Sequence, residues 1–205
     1  MPRGALSQAE SLFDFFHERI DAAVLDKRAS VSQEGIFYLT NLLVERGHTD
    51  RIDDAETLVE LRLRAQSGDR SCAIQSYREL GDRALYRSGF FRGSLARSLM
   101  SMEYYLHMGA AAYDALSRIL DFGRRTPQEG HKDLSEIYLE LADRFAVCSD
   151  VLSEVEQEVR TEKTAPTDAD VLRLYEAWRA TGSPSVARRL RALGVLPAHG
   201  DNETC

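Results

Sequence analysis

Residues 95–120 read LARSLMSMEYYLHMGAAAYDALSRIL, and residues 134–159 read LSEIYLELADRFAVCSDVLSEVEQEV. In the first stretch Leu95, Leu99, Met102, Leu106, Gly109, Tyr113, Leu116 and Leu120 step by 4, 3, 4, 3, 4, 3, 4. In the second, Leu134, Tyr138, Leu141, Phe145, Cys148, Leu152, Val155 and Val159 repeat that rhythm. The spacing lines up apolar side chains along one side of a helix. At 1.5 Å per residue each stripe is about 37 Å long, and each needs a partner surface. The spacing therefore predicts two matched helices over 94–122 and 127–160, joined by a short connection and packed as an antiparallel hairpin.

Working outward, capping signals divide the rest of the chain into shorter helices. Ser7-Gln8-Ala9-Glu10 has the form of a capping box and opens a helix to about residue 26, with Phe13, Phe16, Ile20 and Ala23 on one face. Ser30-Val31-Ser32-Gln33 opens a second, whose Ile36, Phe37, Leu39, Leu42 and Leu43 make a wide apolar face ending at Gly47. A third spans 50–66, with Ile52, Ala55, Val59 and Leu63 as its stripe, and a fourth spans 70–87, with Ile74, Tyr77, Gly81, Ala84 and Leu85. Ser88-Gly89-Phe90-Phe91-Arg92-Gly93 interrupts the pattern. Thr126-Pro127-Gln128-Glu129 offers a cap for the second long helix, which starts there or at another cap a few residues on. Beyond a polar linker at 161–167, two short helices carry Val171, Leu174, Tyr175 and Trp178, then Val186, Leu190 and Leu193. Gly194 followed by Val195 reads as a Schellman ending. No alternating strand pattern longer than a few residues is present.

The expected architecture is an all-α multi-helix bundle of about eight helices. Residues 1–160 form the bundle domain, 168–196 a C-terminal helix pair and 197–205 a polar tail. With 43% hydrophobic residues, 5 Pro and 13 Gly, the chain has material for a core and little for disorder. Its apolar runs are too short to span a bilayer, and the N-terminal residues lack the apolar centre of a secretory signal, which makes a cytoplasmic location the expectation. The net charge of −7 argues against broad attraction to phosphate backbones. The three cysteines have neither metal nor redox spacing, and Cys148 lies on the second seam as a small hydrophobe.

Motifs of established chemistry are missing: no phosphate-cradling Gly-x-x-x-x-Gly-Lys, no Gly-x-Gly-x-x-Gly, no His-Glu-x-x-His and no Gly-x-Ser-x-Gly occur. The leading expectation is thus a non-catalytic interaction or regulatory protein that acts through protein contacts and self-associates as a homo-oligomer. Phe37 and Leu39 on the second helix, and Phe90, Phe91 and Arg92 at the glycine-flanked junction, are its docking candidates.

Two alternatives use other residues. His17, Glu103 and His107 lie on the borders of apolar faces, where imidazole and carboxylate in a bundle would suit iron, manganese or zinc. Gly109, Ala110 and Ala112 remove bulk in mid-helix, so something approaches closely there; another helix backbone serves, as does a flat ligand or haem bounded by Tyr105, His107 and Tyr113. The second alternative reads the C-terminal pair as a faint helix-turn-helix that contacts nucleic acid through Arg188, Arg189 and Arg191. Arg78 and Asp82 are spaced to pair one turn apart. Glu136, Glu140 and Asp143 lie about 130–170° from the Leu141 seam, on an outer, solvated face.

Overall fold

Small side chains decide which helix sits at the centre. The computed structural model describes residues 3–47, 56–95, 100–122, 133–163 and 168–195, and every regular element among them is a helix. They are α1 (Arg3–Asp26), α2 (Gln33–Gly47), α3 (Leu58–Ser67), α4 (Arg70–Gly89), α5 (Arg92–Leu95), α6 (Met102–Asp121), α7 (Leu134–Asp143), α8 (Phe145–Lys163), α9 (Asp168–Thr181) and α10 (Pro184–Ala192). Helix α4 buries Ala73, Ser76, Gly81, Ala84, Ser88 and Gly89 alongside Leu80, Leu85 and Tyr86. Such residues let neighbours approach from several sides, and α3, α6 and α8 all pack on α4. At Gly89 an added Cβ would stand 2.6 Å from Leu152 Cβ of α8, and at Gly81 it would overlap the ring of Tyr113 from α6. Among the described residues, no helix is long and apolar enough to cross a membrane.

Among the described residues most of the two stripes is buried or half-buried, Leu134 at 57% exposed being the exception, but the single long hairpin expected of them is replaced by shorter helices. Helix α6 begins at Met102, where the side chain of Ser101 accepts the Tyr104 N–H, and the positions of Leu99 and of the Thr126–Glu129 cap lie outside the described residues. The second stretch is two helices. It starts at a later cap, Asp133, whose N–H donates to Glu136 Oε2 at 3.3 Å, and it breaks at Arg144 (φ −111°, ψ 20°). Helix α7 stays beside α6, whereas α8 packs mainly on α4 and α1, so that Leu152 is buried against Gly89 of α4 rather than against the helix expected. Apolar periodicity requires that a stripe be covered; it does not name the cover.

Two further expectations change. Ser7–Glu10 lies inside α1 rather than at its start, because the helix already begins at Arg3. On α3, Val59 and Leu63 are 49% and 58% exposed, while Leu58, Leu61 and Ala65 are buried. The helix starts afresh at a Thr57–Glu60 capping box, with Thr57 N donating to Glu60 Oε2 at 2.7 Å, so a stripe counted from Ile52 has the wrong phase. Ile52 and Ala55 themselves lie outside the described residues.

Helices α9 and α10 enclose a small second core of Trp178, Ala187 and Leu190, with Val171, Leu174, Tyr175, Val186 and Val195 around it. Gly182 (φ 64°) allows the turn between them. At the end of α10, Val195 N donates to Leu190 O (2.8 Å) and Gly194 N to Arg191 O (2.9 Å), with Gly194 at φ 77°: the Schellman ending read from the sequence. Helix α10 also packs on α1.

Candidate functional site

The start of α2 is clamped to α7. Ser32 Oγ accepts the Gly35 N–H at 3.1 Å, capping α2, while Glu140 takes two bonds from the same residue, from Ser32 N (2.7 Å) and Ser32 Oγ (2.6 Å). Glu140 is thus a half-buried bridge between helices, not the outer, solvated charge expected from its angle. A helical wheel measures distance from a helix's own seam, and α2 covers a second side of α7.

This clamp spaces α2 and α7 over α4 and leaves a cleft of about 610 Å³ between the three. One wall is the α2 row Gln33, Phe37, Asn41 and Glu45; the other is Leu134, Ile137 and Tyr138 of α7; Arg78 and Asp82 of α4 lie at the base with Tyr38. The mouth is apolar: Phe37 is 56% and Leu134 57% exposed.

The base is a closed polar network. Tyr38 Oη donates to Asp82 Oδ1 at 2.5 Å, Tyr113 Oη donates to the same oxygen at 2.7 Å, and Arg78 Nε lies 3.6 Å from Asp82 Oδ2. The Arg78–Asp82 pairing expected from their spacing is therefore present. Burial pushes the Asp82 carboxyl above its ordinary range, against the opposing pull of the two phenols and Arg78. Burial first, and then the neighbouring Asp82 charge, hold Tyr38 and Tyr113 well above the ordinary phenol range, so both keep the protons they donate. The rings close the site: Tyr38 meets Tyr113 and Tyr138 edge-on at centroid distances of 6.1 and 5.4 Å. Since each buried polar group here has its partner, the network shapes the floor; the contact surface for anything bound is the apolar wall and charged rim above it.

The sequence-derived candidates fall in different places. Phe37 lines the cleft, but Leu39 is fully buried in the core, as are Ile36, Leu42 and Leu43, so the wide face of α2 is spent on folding and only Phe37 of it is offered outward. At the glycine-flanked junction Phe90 stacks on Tyr86 (5.6 Å between centroids), Phe91 packs edge-on to Tyr86, and Arg92 pairs with Asp150 and donates to Ser88 O. Arg92 thus ties the end of α4 to α8, Phe90 meets Phe16 of α1 edge-on at 6.2 Å, and Phe91 stays 37% exposed. Tyr105 and Tyr113 are both buried, the first accepting a 3.4 Å bond from Arg87 Nη1 and the second committed to Asp82, while His107 is exposed; none of the three lines the cleft.

His17 stacks on Phe13, and its Nδ1 lies 3.3 Å from Thr40 Oγ1, whose own proton goes to Ile36 O. Glu103 is exposed on α6. Among the described residues no three His, Cys, Asp or Glu side chains are grouped to hold a metal ion, so His17, Glu103 and His107 are not brought together. Two of the three C-terminal arginines face the bundle: Arg188 and Arg189 line a second cleft of about 200 Å³ with Glu18, Arg19, Glu158 and Thr161, and Arg189 donates to Gln157 O and Thr161 Oγ1. Arg191 is exposed.

Tyr38, Asp82 and Tyr138 were not recognisable as one site from sequence. The available signal was Gly81, whose missing side chain marks the face of α4 next to Asp82 as closely packed. Compared with protein-family models, with curated proteins and with solved structures, the chain matches none.

Proposed function

We propose that this protein is a non-catalytic binding module that engages a partner protein through the cleft between α2, α4 and α7. The observation that carries the reading is the pair of large apolar side chains, Phe37 and Leu134, each more than half exposed on opposite walls of the same cleft. Exposed apolar surface of that kind, rimmed by polar groups, is what interaction sites look like. Asp82, the one buried carboxylate at the base, already accepts from two phenols, which supports a structural task for it rather than proton transfer.

Panning a random peptide library on the protein, with Phe37→Glu panned in parallel, tests this reading. A consensus enriched on the parent and lost on the variant supports it. Absence of any consensus, or one indifferent to Phe37→Glu, overturns it. Concentration-dependent dimerisation abolished by Phe37→Glu would overturn it in favour of a second copy as the occupant.

A further inference from the structure

The cleft's shape and charge say more about its occupant. On α2 the lining residues Gln33, Phe37, Asn41 and Glu45 recur every fourth position, a row about 18 Å long at 1.5 Å per residue. That is a wall for about three turns of a docked helix. Around it stand two carboxylates, Glu34 and Glu45, with one cation, Arg78; the third carboxylate, Asp82, is buried in the floor. Arg78 is already shared between Asp82 (3.6 Å) and Glu45 (3.9 Å), and Glu34 makes no ion pair among the described residues. An acidic segment would have to bring its charge beside Glu34 and Glu45 or strip Arg78 from Glu45 and Asp82. A basic segment gains on both counts, and the exposed ring of Phe37 offers aromatic surface to a guanidinium or ammonium group.

Resting on the binding role proposed above, we infer that the cleft accepts a basic amphipathic helix, its apolar residues at i, i+3 or i+4, and i+7 seated between Phe37, Leu134 and Ile137, and its Lys or Arg residues meeting Glu34 and Glu45. The apolar anchors supply the seat, and the rim charges select the sign of the partner.

Three synthetic amphipathic peptides of one length and one set of leucines, flanked by Lys, Gln or Glu, provide the test, titrated by fluorescence anisotropy at physiological salt. The Lys peptide should bind about tenfold tighter than the Glu peptide, the scale expected of two rim charges. In Glu34→Gln/Glu45→Gln that preference should fall to about twofold, while Glu103→Gln/Glu176→Gln, which removes the same net charge elsewhere, should retain it. Phe37→Ala should weaken all three peptides alike; Phe37 is surface-exposed, and circular dichroism of the variant checks its fold. Equal binding of Lys and Glu peptides, with loss in Phe37→Ala, overturns the charge preference and leaves the binding role standing. A Lys preference untouched by Glu34→Gln/Glu45→Gln, or equally reduced by the control pair, overturns it as unspecific attraction to an acidic protein. Failure of every peptide to bind overturns both readings.

Discussion

The ring of Phe145 fills the space that a side chain at Gly109 would occupy, its Cζ lying far closer to where a Cβ would be than two unbonded carbons can approach. The ring is itself held from behind by Tyr113 at a centroid distance of 5.7 Å and is almost wholly buried, so it has nowhere to swing. The close approach expected at Gly109 is therefore real, and the visitor is an aromatic side chain of the same chain.

Gly109→Ala should destabilise the protein by about 1–3 kcal/mol through overpacking, even though alanine gains about 1 kcal/mol over glycine in a helix interior. Combining it with Phe145→Leu should recover part of the loss. Urea unfolding of the two single variants and the double variant gives the coupling directly, and a stabilised Gly109→Ala would contradict the contact.

Asp82→Ala should cost about 3–5 kcal/mol, because two phenols, that of Tyr113 fully buried, lose their common acceptor and Arg78 one of its two partners. Tyr113→Phe should cost about 1.5–3 kcal/mol, the range for a hydrogen bond to a charged group. A double-mutant cycle should show the two losses to be strongly non-additive, since they report the same bond. Additive losses would mean that the phenol and carboxylate do not interact.

Glu158, buried on α8, sets a pH dependence. Burial raises its carboxyl above the ordinary range despite Arg188, Arg189 and Arg19 nearby, while Glu154 adds to the rise; Glu18 also lines the adjoining cleft. A carboxyl whose folded pKa exceeds its unfolded value binds more protons in the folded state, so stability declines as pH rises from the ordinary carboxylate range through the folded pKa. Glu158→Gln, which keeps the side chain neutral, should be more stable than the parent at neutral pH, and the advantage should vanish in acid. Urea midpoints from pH 4 to pH 8 measure it; a Gln variant weaker than the parent at pH 7 would show that the arginines outweigh burial.

Burial pushes the Cys148 thiol up to about 12. In a Cys72→Ser/Cys205→Ser background, Cys148 should resist an aromatic disulfide reagent at pH 8 and react fully in denaturant. Prompt labelling of the native protein would place the residue at the surface.

Several residues separate what was legible from what was not. Gly194 as the end of α10 follows from hydrogen bonds between near neighbours, for which local sequence carries all the information, and the Ser30–Gln33 signal likewise marks the start of α2, though the structure puts the cap at Ser32. Glu140 was misread because its partner, Ser32, lies in a distant helix. Val59 and Leu63 were misread because a capping box at Thr57 reset the helix phase. Leu39 and Phe37 looked equivalent as docking residues; which one faces the core is settled by the helices that pack on α2.

From the chain alone followed the all-α class, the approximate places of most helices, and the burial of most described positions of the two stripes, since propensity, capping and a near-3.6-residue apolar period act within a turn or two of helix. Only the tertiary structure decided that α4 is the central helix, that Arg144 turns α8 away from α6, and that α2 and α7 stand apart over Asp82. One apolar stripe fits many others almost equally well, and the choice among them rests on the fit of particular surfaces, such as Tyr113 over Gly81 and Leu152 over Gly89, between residues far apart in the chain.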